Sequence, residues 1–388
     1  MRGKLAAFDW IGFAAMVALA VVGTCAIQSA GSARTAFFYS AWKEHLAAAA
    51  VGLVLYCTLA FTDYRRYLDL VSVPAYVVSV AFLVLVLLFG VEVLGARRWL
   101  WFFQPSEVAK LCSILLAASL FGQDGAWGVG NVRGFRGFLA AGAIFALPAG
   151  LILAEPDLGT TLALVPAAAM MLYAARVWRR GLVTILAVGG IAALAVLGAV
   201  HEAEKPGVLP ERREKIMKYV PMHQHQVRRV KTFLFPESNS DGAGWNLKQS
   251  KIAIGSGGWR GKGLGRGDQS HLKYLPPAGV MNDFIFCVWA EETGYRGTLL
   301  LLTLFGVLFL CGCRAAYFAG DGRGRLLALG VTTLLFAHVY INIGMSVGLL
   351  PITGLPLPFI SSGRTFLVTV MCGLGLVQSV TIHRKEIS

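Results

Sequence analysis

Apolar residues run along this chain in long unbroken stretches separated by short polar segments. Ten stretches are long enough to cross a bilayer as helices, at about 9–28, 43–62, 69–90, 104–121, 137–154, 158–175, 181–201, 283–312, 325–348 and 360–381. About 20 apolar residues span the hydrocarbon core, and a helix satisfies every backbone polar group within the segment. Because the runs are continuous and do not alternate, nothing supports a transmembrane β-barrel. The pattern predicts an all-α integral membrane protein: one membrane domain over 1–388, ten transmembrane helices, and an extracytoplasmic insertion at 202–282 between the seventh and eighth. The eighth run is too long for one crossing, since Asp283–Gly312 would extend ~45 Å as a helix. Gly294 and Gly297 offer a break, which predicts an outer half-helix at Asp283–Thr293 and a crossing segment at Tyr295–Gly312.

Composition agrees with this reading. Of the 388 residues 56% are hydrophobic and only 14% charged, with a mean hydropathy of +0.64, which excludes an ordinary soluble domain. Arg2, Lys4, the first run and the small residues Ser29–Ala33 also fit a cleavable signal peptide. The run is long enough to span and nine more follow, so an uncleaved first helix is the simpler expectation. Short-loop cations set the orientation. A cytoplasmic N-terminus puts Arg65, Arg66, Arg133, Arg136, Arg176, Arg179, Arg180, Arg314, Arg323, Arg325, Arg384 and Lys385 inside, against Arg34, Lys43, Arg97 and Arg98 outside, and predicts both termini in the cytoplasm.

The insertion holds 14 Lys and Arg against 7 Asp and Glu, an excess that is half the formal charge of +14. An anionic partner at the outer surface follows, a phosphate-bearing lipid and not nucleic acid, because no nucleic-acid motif is present. Its first half, Glu202–Lys231, reads as charged and partly helical, with breaks at Pro206, Pro210 and Pro221. The half from Phe235 reads as turns and short segments. All seven cysteines fall within predicted helices, so no disulfide framework or metal site is implied.

Ionisable residues at membrane depth cost about 2.5–3.5 kcal/mol each, so each needs a reason. In Gln104-Pro-Ser-Glu-Val-Ala-Lys110, Glu107 and Lys110 stand on one helix face, either as a packing salt bridge or as the lining of a polar cavity. In Glu155-Pro-Asp-Leu-Gly-Thr160, Asp157 is placed to cap the next helix, to face a cavity, or both. Between Gly255 and Gly267, glycines interleave with Arg260, Lys262 and Arg266, so that amides and cations can surround a phosphate, although the spacing matches no nucleotide loop. Asp283 closes that region at a predicted helix start, where capping and catalysis are both open. The segment 351–363 carries three prolines, Ser361 and then Arg364, either a rigid loop with an exposed arginine or a re-entrant turn supplying a phosphate ligand. His223, His225 and His271 lack metal-ligand spacing.

Taken in order, GARRWL…QPSEVAK, EPDLGT, QSKIAIGSGGWRGKG, LKYLP…DFIF…AEETG and NIGMSVGLLPITGLPLPFISSG resemble the SEDS family of cell-wall polymerases, the RodA and FtsW proteins. The resemblance covers nearly the whole chain and is closer to RodA, the elongation member. It implies a peptidoglycan glycosyltransferase that polymerises lipid II in the bacterial cytoplasmic membrane, together with a class B penicillin-binding protein and other rod-complex proteins. It implies that Asp283 matches the essential aspartate of the family, Glu107 and Lys110 its cavity pair, and Asp157 its PDLGT aspartate. The chain departs from the family pattern at Pro277–Asn282, where a glutamate and a histidine are missing, and at Ser361–Arg364, which replaces the usual SYGG.

Such a transfer inverts an α-linked sugar pyrophosphate to a β-1,4 bond, so one base and charge stabilisation of the leaving group suffice. Asp283 is the expected base. Arg98, Arg260, Lys262 and Arg266 are the expected cations for the pyrophosphate, with a divalent cation as the alternative that no residue pattern specifies. A lipid II flippase, a division-type polymerase and a non-catalytic scaffold are the competing readings. The absence of a clear internal repeat argues against the transporter.

Overall fold

A computed structural model describes residues 2–32, 40–93, 96–100, 103–122, 135–205, 208–220, 224–235, 242–268 and 277–384. After a helical turn at Arg2–Ala6, the long helices are α1 (Trp10–Ser32), α2 (Ala41–Phe61), α3 (Ser72–Phe89, continuous with Tyr64–Val71), α4 (Pro105–Phe121), α5 (Phe135–Ala154), α6 (Leu158–Ala174) and α7 (Arg179–Glu204). The insertion contributes α8 (Pro210–Lys218), α9 (Gln224–Leu234), α10 (Ala243–Ser256) and the short α11 (Pro277–Met281). Three more long helices complete the chain, α12 (Ile285–Tyr317), α13 (Gly322–Val347) and α14 (Arg364–Ile382). Eight of the described helical segments are long and apolar enough to cross a membrane, and α6 is a shorter apolar helix. A small antiparallel hairpin, β1 (Val91–Val93) with β2 (Ala96–Trp99), follows α3 and is the one departure from an all-helical reading among the described residues.

The two ends of the bundle differ in chemistry. At one end Lys4 Nζ meets His383 Nε2 at 2.8 Å, which brings the two ends of the described chain together. Arg65 there pairs with Asp63 (3.3 Å) and Asp321 (3.0 Å), and Arg323 pairs with Asp69 (2.6 Å). The other end carries the hairpin, the insertion and the loop 348–363.

The insertion is more helical than its glycine content predicts. Pro210 starts α8 instead of breaking a helix, as its fixed φ and missing N–H allow at a first helical position. Ala243–Ser256 forms a 14-residue helix where turns were expected. Leu247, Ser250 and Ala253, spaced three apart, are buried, and Ser250 Oγ donates to the Ser346 carbonyl (2.5 Å) and touches Cys287 Sγ (2.7 Å). One polar residue therefore fastens α10 to both α12 and α13.

α12 breaks where its length required. Gly294 adopts φ 66°, ψ −161°, a conformation essentially closed to other residues. The break frees carbonyls that the glycine loop then satisfies: Lys262 N donates to Glu291 O (3.1 Å) and Gly263 N to Glu292 O (2.9 Å), while Tyr295 N returns a bond to Gly258 O (2.9 Å). The carboxylates are used as well. Ser29 Oγ of α1 bonds the Glu292 carboxylate at 2.6 and 2.5 Å and accepts from Gly265 N at 2.9 Å. A Cβ at Gly294 would lie 2.4 Å from Gly261 N. Gly294→Ala is therefore expected to lower the thermal midpoint in detergent, at a strain cost of about 1–3 kcal/mol before the collision is counted. Scanning calorimetry or fluorimetry of the purified protein measures it.

Candidate active site

Asp283 lies in the turn between α11 and α12, one residue before the helix cap Phe284, and the cap carries no side-chain hydrogen bond. The capping reading of Asp283 is overturned by that one-residue offset. The turn is held from two sides. Asn342 Nδ2 on α13 donates to the Asp283 carbonyl (3.0 Å) and to the Leu355 carbonyl (2.6 Å). Ser361 Oγ donates to the Asn282 carbonyl (2.6 Å) and accepts from Leu357 N (2.7 Å), and Ser362 Oγ bonds Asn282 Oδ1 (2.6 Å). Ser361 therefore shapes the loop beside Asp283, its single hydroxyl proton already used.

The Asp283 side chain is half-buried and faces the loop at 351–359. A methyl group on Gly354 would stand 3.5 Å from Asp283 Oδ2 and 3.9 Å from Arg229 Nη2. Arg229 Nη1 donates to the Thr353 carbonyl at 2.8 Å, so α9 delivers a guanidinium to this corner. Burial pushes the Asp283 carboxyl up to about 6, with Arg229 and Arg98 opposing the rise and Asp157 adding to it. Those three groups are thus its charged surroundings.

Asp157 does cap its helix, accepting from Thr160 N (3.2 Å) and Thr160 Oγ (3.0 Å). Its Oδ2 also lies 3.8 Å from Arg98 Nε, and Arg98 Nη2 donates to the Pro156 carbonyl at 2.5 Å. The cap and the ion pair with Arg98 are thus made by one carboxylate. Beside it Glu155 is buried, with neither carboxyl oxygen hydrogen-bonded. Burial pushes Glu155 up to about 8, Asp157 adding and Arg98 opposing, so it stands as a neutral acid near pH 7.

The glycine loop does not join this group. Its amides and Lys262 are spent on the α12 break, with Lys262 Nζ 2.7 Å from both Asp268 and Glu291. Arg260 and Arg266 are exposed. Glu291 stands eight residues along α12 from Asp283, roughly 12 Å at the helical rise. The expected phosphate cradle is thus corrected to a brace, because positive φ at Gly258, Gly261, Gly263 and Gly265 lets the loop fold onto the kink. Arg364 is also placed elsewhere: half-exposed, it pairs with Glu44 of α2 at 3.1 Å.

Glu107 and Lys110 form the expected bridge at 2.9 Å, 2% and 1% exposed, and Lys110 Nζ reaches His338 Nε2 at 2.8 Å. The pair touches a cavity whose other walls include Leu111, Val331, Leu335, Pro358 and Phe366. This setting favours the packing role over a polar substrate channel. Sequence reasoning missed Arg229, Asn342 and His338. Asn342 and His338 carried a signal, since each is polar inside an apolar run. Arg229 did not, standing beside Arg228 in a charged helix. His271, Leu275 and Pro276 lie outside the described residues, and among the described residues no group of three or more His, Cys, Asp or Glu converges on a metal-binding geometry.

The chain is 36% identical over 344 residues to the peptidoglycan glycosyltransferase MrdB of Escherichia coli K12, covering 87% of this chain and 85% of that one. Its fold matches a chain of a solved peptidoglycan synthase complex that coordinates polymerization and crosslinking, with a TM-score of 0.73 and 27% identity over 98% of this chain and 99% of that one. It also matches the rod shape determining protein RodA of Thermus thermophilus, with a TM-score of 0.65 and 26% identity over 97% and 98% of the two chains. The model of the cell cycle proteins FtsW, RodA and SpoVE matches residues 6–386, and with that span and those relatives the chain belongs to the FtsW/RodA/SpoVE family.

Proposed function

We propose that this protein is a peptidoglycan glycosyltransferase that polymerises lipid II into glycan strands during cell elongation. The observation that carries the reading is a half-buried carboxylate, Asp283, flanked by Arg229 and Arg98 at the insertion end of a membrane bundle. Asp283 accepts the proton of the acceptor sugar hydroxyl as that oxygen attacks the anomeric carbon of the donor, and the pyrophosphate departs with the lost bond's electron pair. Its raised proton affinity suits a base working near neutral pH. Arg229 and Arg98 stabilise the departing charge, a part for which the sequence had put forward Arg98 together with Arg260, Lys262 and Arg266. Asp157 holds Arg98, and Glu155, being neutral, does not cancel it.

The insertion end faces the outside in this reading, and both termini lie in the cytoplasm of a bacterium, in its inner membrane. A class B penicillin-binding protein crosslinks the product, supported by the relative found within a synthase complex, and rod-complex proteins join them. Glycosyltransferase relatives and the absence of a detectable repeat favour polymerisation over transport.

Labelled lipid II in detergent, with and without the partner transpeptidase, tests the reading: glycan ladders are expected, and none would sink it. Arg229→Gln in the same assay is expected to lose about 100- to 1,000-fold in rate. Lys262→Gln is expected to keep kcat per folded molecule and lose thermal stability instead, because its charge serves Glu291.

A further inference from the structure

We infer that His338 is a positioning residue that links the buried Glu107–Lys110 pair to the loop and helix face holding Asp283. The inference rests on the glycosyltransferase reading for its activity measurements only. Lys110 is an ammonium with three N–H groups and no acceptor capacity. One proton goes to Glu107 Oε2 and another is directed at His338 Nε2, 2.8 Å away. His338 Nε2 must then accept, which fixes the ring as the neutral tautomer with its proton on Nδ1. That N–H has no hydrogen-bond partner among the described residues, although the ring is 1% exposed. Pro358 of the loop 351–359 lines the same cavity as the His338 ring.

A buried donor without a partner carries a desolvation cost, so the ring's setting in this cavity is sensitive to where the loop lies. Pro358 belongs to the same loop whose Gly354 approaches Asp283 and whose Leu355 carbonyl is bonded to Asn342. Asn342 follows His338 by one helical turn, on the same face of α13. One face of α13 thus carries two links: His338 ties it to α4, and Asn342 ties it to the Asp283 turn. The Glu107–Lys110 pair acts on catalysis through this face, without touching substrate. Phe366 lies against the His338 ring, with centroids 4.7 Å apart and planes tilted by 34°, and limits the ring's orientation.

Two substitutions test the link. His338→Leu removes the acceptor and the donor, whereas His338→Gln keeps one of each. In the lipid II assay of the purified complex, His338→Leu is expected to lower kcat about 10- to 100-fold with KM within about twofold, the range that follows from slight misplacement of a reacting group. His338→Gln is expected to stay within about threefold of the parent kcat. Hydrogen exchange on the same samples is expected to speed up at the Ile360 and Ser361 amides in the leucine variant, while α14 amides stay unchanged. The idea is overturned if kcat per folded molecule is unchanged in both variants, if glutamine fails as badly as leucine, or if only KM moves. Should the parent protein give no glycan, the exchange comparison still decides the link. Unchanged protection at 351–361 in the leucine variant would then reject it.

Discussion

Asp283→Asn protein is expected to fold, bind its partner and polymerise lipid II at a rate about 100- to 10,000-fold below the parent, the range that general base catalysis supplies. Two pH measurements separate this loss from a loss of structure. In the parent, kcat/KM is expected to fall tenfold per pH unit below about pH 6, where the Asp283 carboxyl takes up its proton. Stability runs the other way. The folded protein binds that proton more tightly than the unfolded chain does, because the carboxyl sits near 6 in place of 3.8. The stabilising contribution is complete below about pH 4 and is lost as pH rises through about 6. Asparagine cannot ionise, so the thermal midpoint of Asp283→Asn should exceed that of the parent above pH 6, and the two should converge below pH 4. A variant that is less stable at neutral pH and inactive for that reason would contradict the assignment.

Lys110→Met is expected to have the largest effect on stability. It leaves the Glu107 carboxylate buried at 2% exposure without its cation, and breaking a buried pair in this way costs about 3–5 kcal/mol. Yield of monodisperse protein and thermal midpoint are both expected to drop sharply. The double variant Glu107→Leu/Lys110→Met removes both charges, and its midpoint is expected to return most of the way. Its kcat should stay low, because the hydrogen bond to His338 is still missing. Recovery of stability and full activity together would show that the pair serves packing alone.

The membrane-spanning part of this fold is legible in the sequence because bilayer thickness sets the length of each apolar run. The run expected at 43–62 is Ala41–Phe61, and the one expected at 181–201 lies within Arg179–Glu204, while the helices at the expected 104–121 and 158–175, Pro105–Phe121 and Leu158–Ala174, are shorter than the eight segments long and apolar enough to cross. Boundaries drift where something other than hydropathy ends a helix. The last helix starts at Arg364, not 360, because Ser361 and Ser362 are engaged with the Asn282 turn. α12 continues past Gly312 to Tyr317, since Arg314, Ala315 and Ala316 are good helix formers beyond the apolar run.

The site is legible in part. Arg98 pairs with Asp157 and acts electrostatically on Asp283, whereas Arg229, the other cation there, was not among the residues put forward. Glycines between arginines read as a phosphate cradle. Only the break in α12 reveals that their amides already have acceptors. Arg229 comes near Asp283 from a different part of the insertion by way of the Thr353–Gly354 turn, and no local pattern encodes such an approach between segments so far apart in sequence.

The bond between Ser29 and Glu292 also bears on how the protein is made. Its partners are separated by 263 residues, which at about 5–20 residues per second amounts to roughly 13–50 s of translation. During that interval the first helix resides in the membrane without its eventual mate, and Glu292 enters the bilayer needing a donor that was inserted long before. Insertion order therefore leaves the outer brace among the last pieces to lock. A chain that stops short of Glu292 therefore lacks this fastening of α1 to α12, however much of the rest has inserted.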